Sequence, residues 1–276
     1  MFAWWKKSVA CAGSVLFRGA LPQQPGEFAF LQAQGIATAP LPETPSAYWG
    51  MALRHAQWGE ATLVCLRDMP PLPPELIACQ PLSDAERASA RRGESTLTIR
   101  LEGTHGHVLR DRKHLLRFLR AVMADDGVAA VDHLSQLIWS REMLEDELSH
   151  DGDLDVEGLY CLHAILPDAA PAAEDAERQP CWIHSHGLQE IGEFDFDIVD
   201  PQAEVNSDLF RAIAFAIVER RMTLEMRRYR LAQPHGDVRP VAMARFLAQA
   251  EPRYRQLLAD QVDAEHRTEH AVLCEP

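Results

Sequence analysis

Two histidines separated by one residue are the strongest chemical feature of this sequence. His184 and His186 lie in the segment C-W-I-H-S-H-G-L, residues 181–188. In a β-strand, residues two apart project from the same face, so both imidazoles could bind one metal ion. Asp197 follows in F-D-F-D-I and offers a carboxylate oxygen. The spacing therefore predicts a zinc site made of His184, His186 and Asp197.

The H-x-H-x10-D spacing of this segment resembles that of the zinc-dependent JAMM isopeptidases. That family has a proline after the second histidine and a serine shortly before the aspartate. Here Gly187 stands in place of the proline and Phe194 in place of the serine, which would help to hold the oxyanion. The resemblance implies a zinc hydrolase with an upstream glutamate as general base, either Glu157 or Glu147.

The same segment also fits a purely structural interpretation. Residues 193–198 alternate acidic and hydrophobic side chains, which is typical of a strand with one buried face. Trp182 falls on the same side of its strand as His184 and His186. A pair of hydrogen-bonded histidines would explain the spacing without a metal. In this interpretation Trp182 and the two histidines are structural or partner-binding residues.

A longer part of the chain resembles an uncharacterised bacterial domain family. The resemblance rests on W-I-H-S-H-G-L (182–188), V-L-R-D-R-K-H-L-L-R-F-L (108–119) and V-D-H-L-S-Q-L-I-W-S (131–140). Members carry Trp-Leu-His-Thr-His-Gly-Leu or close variants, and the similarity covers about residues 95–200. It implies a cytoplasmic bacterial α+β protein. Relatives of this general kind are suspected of acting in toxin and immunity systems.

The charge of the chain favours a binding function. It has 41 acidic and 27 basic residues, for a formal net charge of -14, which repels nucleic acids and anionic membranes. Among the acidic side chains of residues 142–157, we expect Glu145, Asp146, Asp151 and Asp153 to attract a basic partner. The sequence also lacks the G-x-S-x-G, Walker and G-x-G-x-x-G motifs.

The leading hypothesis is therefore a non-catalytic, cofactor-free binding protein of the immunity type that captures a basic protein partner. A zinc hydrolase and a scaffold or assembly component are the alternatives. The six cysteines form no C-x-x-C pair, which favours reduced thiols in the cytoplasm. No stretch approaches the roughly 20 apolar residues of a membrane helix. Residues 8–17 are predicted as a first strand rather than a signal peptide.

The elements that must position these residues indicate an α+β fold, with a mainly antiparallel sheet flanked by helices. Strands are predicted within 61–66, 96–101, 127–132, 156–167 and 181–188, and the last two are expected to pair. Helices are predicted to begin at caps provided by Ser83, Asp111 and Ser140.

Composition predicts three regions: a small β-containing unit (1–80), an α+β core with the H-S-H-G segment (81–205) and a helical C-terminal section (206–276). The last region is expected to contain helices at 209–220, from Pro240 and at 254–262, and a frayed tail from His266.

Overall fold

The structure, a computed structural model, has an α+β fold, as predicted. It describes residues 8–19, 30–42, 45–66, 72–78, 80, 82–104, 107–165, 182–188, 191, 193–199, 207–224, 226, 228–231, 237–252, 255 and 270–274. The chain separates into two compact units, unit 1 (Met1–Leu159) and unit 2 (Tyr160–Pro276). Strands from both sides of residue 80 share one sheet, and strands from both sides of residue 205 share the other.

Unit 1 contains a seven-stranded sheet among its described residues, in the order β2-β3-β4-β5-β1-β6-β7, and neighbouring strands pair antiparallel. The strands are β1 (Ser8–Phe17), β2 (Ala37–Pro40), β3 (Ala47–His55), β4 (Gly59–Leu66), β5 (Ser95–Thr104), β6 (Gly127–Asp132) and β7 (Ile138–Trp139). The first strand therefore lies where the sequence predicted it. Strand β1 lies inside the sheet, because it pairs with β5 along its whole length and with β6 on its other side.

Five helices lie among the described residues of unit 1: α1 (Phe30–Ala33), α2 (Pro74–Ala78), α3 (Asp84–Ala90), α4 (Val108–Met123) and α5 (Arg141–Ser149). Helix α4 packs closely on β1, because a Cβ atom at Gly13 would lie 2.9 Å from Leu119 Cδ1. The side chains of Leu16, Val131 and Ile138 pack with α2 and α3 in a separate apolar cluster. Both faces of this sheet are thus covered where β1 and β6 meet.

Two predicted helix caps are confirmed and one is wrong. The Ser83 hydroxyl accepts a hydrogen bond from Glu86 N and the Glu86 carboxylate accepts one from Ser83 N, which forms a capping box. Ser140 caps α5 by accepting a hydrogen bond from Met143 N. Asp111 does not cap α4, because the helix begins at Val108 and includes Asp111 in its first turn.

A buried ion pair joins α4 to the end of β6. The Arg112 guanidinium contacts the Asp132 carboxylate, and each side chain is 1% exposed. Asp132 Oδ1 also accepts hydrogen bonds from the backbone nitrogens of Leu134 and Ser135. Burial lowers the pKa of Arg112 and raises the pKa of the neighbouring Cys11 thiol. Removing either charge would leave the other one uncompensated in an apolar environment.

Unit 2 contains a six-stranded sheet in the order β11-β12-β13-β10-β9-β8 among the residues described there. Its strands are β8 (Cys161–Ile165), β9 (Trp182–His186), β10 (Asp195–Val199), β11 (Tyr229–Arg230), β12 (Asp237–Ala242) and β13 (His270–Cys274). The predicted antiparallel pairing of β8 with β9 is confirmed. The prediction for 156–167 was too long, because residues Val156–Leu159 form a 3₁₀ turn.

The C-terminal part of the chain contains strands as well as helices, which differs from the helical section predicted. Strand β13 pairs parallel with β10 and antiparallel with β12, so residues 270–274, which were expected to fray, lie in the sheet interior. Pro240 lies within β12 rather than at a helix start. The helix predicted at 254–262 falls almost wholly outside the described residues.

Two helices cover opposite faces of the unit 2 sheet, α6 (Ser207–Val218) and α7 (Met243–Gln249). The Phe196 ring stacks near Phe210 of α6, with 6.2 Å between ring centroids. Trp182 contacts Phe246 of α7 edge to face at 5.9 Å. Because Phe196 and Asp197 are consecutive in β10, their side chains point to opposite faces. The Asp197 face is therefore the one that α7 covers.

Within the described part of the chain, no helix has the length and hydropathy needed to cross a membrane.

Candidate metal centre

The pairing of β9 with its two neighbours brings several polar side chains together on one face of the sheet. His184 lies opposite Asp197 of β10 and also opposite His163 of β8. Directly opposed residues in an antiparallel pair share a face and have neighbouring Cβ atoms. The alternation in W-I-H-S-H places Trp182 and His186 on this face as well. The prediction that both histidines share a face thus follows from the observed strand.

Three of these side chains already form a potential metal-binding group. His184, Asp197 and His270 each offer one ligand atom, and the three atoms lie within 4.8 Å of one another. His184 is half-buried, whereas Asp197 and His270 are each 1% exposed. His270 was missed at the sequence level because its segment was expected to fray. The short continuous apolar run A-V-L-C (271–274) is the signal that could have indicated a buried strand.

Hydrogen bonds fix the orientation of the Asp197 carboxylate. Trp182 Nε1 donates to Asp197 Oδ1 at 2.8 Å, and His270 Nδ1 lies 2.9 Å from Asp197 Oδ2, within hydrogen-bonding distance. The ring of His270 stacks near that of His184, with 5.9 Å between centroids. A partner that orients a ligating carboxylate is a common feature of metal sites. Trp182 therefore serves as a positioning residue for Asp197.

Burial has a direct electrostatic effect on Asp197. It raises the pKa of this carboxyl group, and the nearby Asp195 acts in the same direction. The hydrogen bonds from His270 and Trp182 oppose that effect because they favour the ionised form. A bound cation would add to this opposition and stabilise the carboxylate. The site thus contains a buried acid that a positive charge would make easier to ionise.

Asp195 has a different task from Asp197. Its carboxylate accepts hydrogen bonds from Ser185 Oγ at 2.8 Å and from the backbone nitrogens of Gly187 and Leu188 at 3.1 Å each. Gly187 has a φ of 130°, a backbone conformation that residues other than glycine rarely adopt. Ser185, Gly187 and Asp195 therefore hold the turn after β9. The H-S-H-G-L motif combines potential ligands with residues that shape this turn.

The acidic positions of residues 193–198 were expected to face outward from a half-buried strand, and this interpretation is wrong for two of them. Asp195 and Asp197 are 0% and 1% exposed, so β10 is buried on both faces where they lie. Phe194, which stands in place of the JAMM serine, is also buried. The apolar side chain gives no hydroxyl group to hold an oxyanion.

The group of His184, Asp197 and His270 does not include the other predicted residues of the zinc hypothesis. His186 ends β9 and lies near His163, with 6.5 Å between ring centroids. Glu157 belongs to unit 1, in the 3₁₀ turn. Glu147 also belongs to unit 1, in α5, and lies 3.3 Å from Lys113 Nζ.

His163 and Cys161 extend the polar face toward the sheet edge. Cys161 Sγ lies 3.0 Å from His163 Nε2, and the His163 ring centroid lies 5.1 Å from that of His184. Burial, followed by the effect of His186, lowers the pKa of His163. A neutral imidazole is the form that binds metal ions.

The four acidic residues predicted to bind a partner all lie in unit 1 and are exposed. Glu145 and Asp146 belong to α5, and Asp151 and Asp153 follow it. Glu145 forms an ion pair with Arg120 at 2.5 Å, so part of this acidic surface is neutralised within the chain.

Comparison of the chain with protein-family models, with curated proteins and with solved structures gave no match. The two resemblances described from the sequence therefore stay predictions.

Proposed function

We propose that unit 2 is a zinc-dependent hydrolase whose ion is bound by His184, Asp197 and His270. The observation that carries this proposal is the approach of three ligand atoms to within 4.8 Å of one another. Two imidazoles and one carboxylate match the nitrogen and oxygen ligands of catalytic zinc sites. This set replaces His186 of the sequence-level hypothesis with His270.

The surroundings of the three ligands support a catalytic rather than a purely structural ion. Structural zinc sites have four protein ligands, whereas catalytic sites have three and keep one position for water. His184 is half-buried and therefore partly accessible to solvent, whereas Asp197 and His270 are enclosed. A zinc ion there would lower the pKa of a bound water to about 7 and so supply a nucleophile.

The test is elemental analysis of the protein purified without an affinity tag. The wild type should contain at least about one zinc ion per chain, and H270A should lose about one ion while staying folded. H107A is the matched control, because His107 is exposed and lies in unit 1. A wild-type protein without metal after zinc loading and desalting would overturn the proposal. With metal bound, peptide and phosphoester substrates should be hydrolysed in a chelator-sensitive way.

The capture of a basic protein partner is the second candidate function, and one observation favours it. Asp146, Asp151 and Asp153 are exposed within a short segment of unit 1, on a chain of net charge -14. Such a surface accelerates the encounter with a basic protein. Pull-downs at low salt should recover a basic partner, and the triple variant D146N/D151N/D153N should recover much less. Equal recovery by both proteins would exclude this surface.

A further inference from the structure

A second group of metal-binding side chains lies on the same face of the unit 2 sheet. Strands β8 and β9 pair so that Cys161 is opposite His186 and His163 is opposite His184. Opposed residues share a face, and so do residues two apart along a strand. Cys161, His163 and His186 therefore project from the face that also presents His184. They are separate from the group of His184, Asp197 and His270.

Two ligand atoms of this second group are already in contact, and His186 would have to rotate to bring its imidazole nitrogen to the same ion. Cys161 Sγ and His163 Nε2 are 3.0 Å apart. The rings of His163 and His186 meet edge to face, with 6.5 Å between centroids. All three side chains come from β8 and β9, so the pairing of these strands holds their backbone positions. A thiol and two imidazoles bind zinc in preference to harder cations such as magnesium.

We propose that Cys161, His163 and His186 form a second binding position for an ion of the zinc class. On binding, the S–H bond of Cys161 breaks, a sulfur–metal bond forms and the proton passes to solvent. The contact between Sγ and Nε2 is then replaced by one bond from each atom to the ion. This position goes beyond the proposed function, because it uses other residues and does not require the first ion.

Cobalt(II) is the probe for this position, since thiolate ligands give cobalt a sulfur-to-metal charge-transfer absorption that imidazole and carboxylate ligands do not. The wild type should bind about two cobalt ions per chain and show this absorption. C161S should lose the absorption and about one ion. C274S is the matched control, because Cys274 is another cysteine of unit 2, in β13, and it should keep both ions.

The variant H163Q provides a second test that leaves the thiol in place, and it should lose about one ion per chain. Circular dichroism checks that each variant is folded. A wild type without the absorption, or C161S with the absorption unchanged, would overturn the second position.

The variant H270A separates the two proposals. It should keep the charge-transfer absorption and lose the other ion. If it keeps both ions, the proposed function fails and the second position stands. If the wild type binds one ion without the absorption and H270A binds none, the second position fails and the first stands.

Discussion

Asp132 in unit 1 and Asp197 in unit 2 are both buried carboxylates, and they differ in their partners. In unit 1, Asp132 contacts the guanidinium of Arg112, which has no acceptor atom and so is not a metal ligand. In unit 2, Asp197 contacts the indole of Trp182 and the imidazole of His270, which can lose its proton and become a ligand. Burial of a carboxylate alone therefore does not make a candidate metal site; the chemistry of its partner decides.

The largest effect is expected from breaking the buried pair in unit 1. R112M would leave the Asp132 carboxylate buried without its cation, and it should lower the free energy of unfolding by about 3–5 kcal/mol. Urea denaturation measures this change. The double variant R112M/D132N should recover much of the loss because it also removes the charge. A loss below about 1 kcal/mol in R112M would show that the pair contributes little.

Zinc should stabilise unit 2 and leave unit 1 unchanged. At a free zinc concentration about 100 times the dissociation constant, the bound state gains about 2.7 kcal/mol. Hydrogen exchange followed by peptide should therefore slow in β9, β10 and β13, and not in the unit 1 strands. The variant H184A/H270A should show no such slowing of hydrogen exchange in β10 and β13. Equal protection of both units would mean that zinc does not act through these ligands.

Trp182 provides a finer test, because it contacts Asp197 through a single hydrogen bond. W182F keeps most of the ring and removes the Nε1 donor, so the Asp197 carboxylate would be held less firmly. We expect metal affinity to fall by about 10- to 100-fold, as for other partners of metal ligands. Competition with a chelator measures the affinity. W58F, in unit 1, is the control, and an unchanged affinity in W182F would remove its positioning role.

The smallest effect concerns the pH dependence of unit 1. His133 Nε2 lies 2.8 Å from Ser14 Oγ, and burial followed by the Arg112 charge lowers the pKa of His133 from its ordinary 6.5. Below pH 6.5 the unfolded chain binds a proton that the folded chain does not. The free energy of unfolding therefore decreases as the pH is lowered from 6.5 to the lowered pKa of His133. Unfolding measured from pH 7.5 downward should be less pH-dependent in H133Q. Parallel curves for both proteins would contradict this assignment.

Local signals were sufficient for several elements and for part of the site. Ser83 and Ser140 could be assigned as caps because a cap depends on atoms within three or four residues. The H-x-H alternation likewise placed His184 and His186 on one face, since strand geometry has a period of two.

The inclusion of His270 in the candidate metal-binding group could not be predicted from local patterns. Asp195 and Asp197 look alike in the sequence, yet one shapes a turn and the other faces His184. His270 joins them only because β13 pairs parallel with β10, and such a pairing depends on contacts between distant segments. Composition near residue 80 likewise carries no information about strand partners.

The position of β13 also bears on the order in which unit 2 folds. This strand comes last among those described, yet it lies between β10 and β12. Distant pairing of this kind is slow, since the entropy of closing the intervening loop is lost before the contacts form. Asp197 and His270 can meet only when that step is complete. Capture of an ion by His184, Asp197 and His270 would thus follow the closure of the sheet, and the ion would not guide the chain toward it.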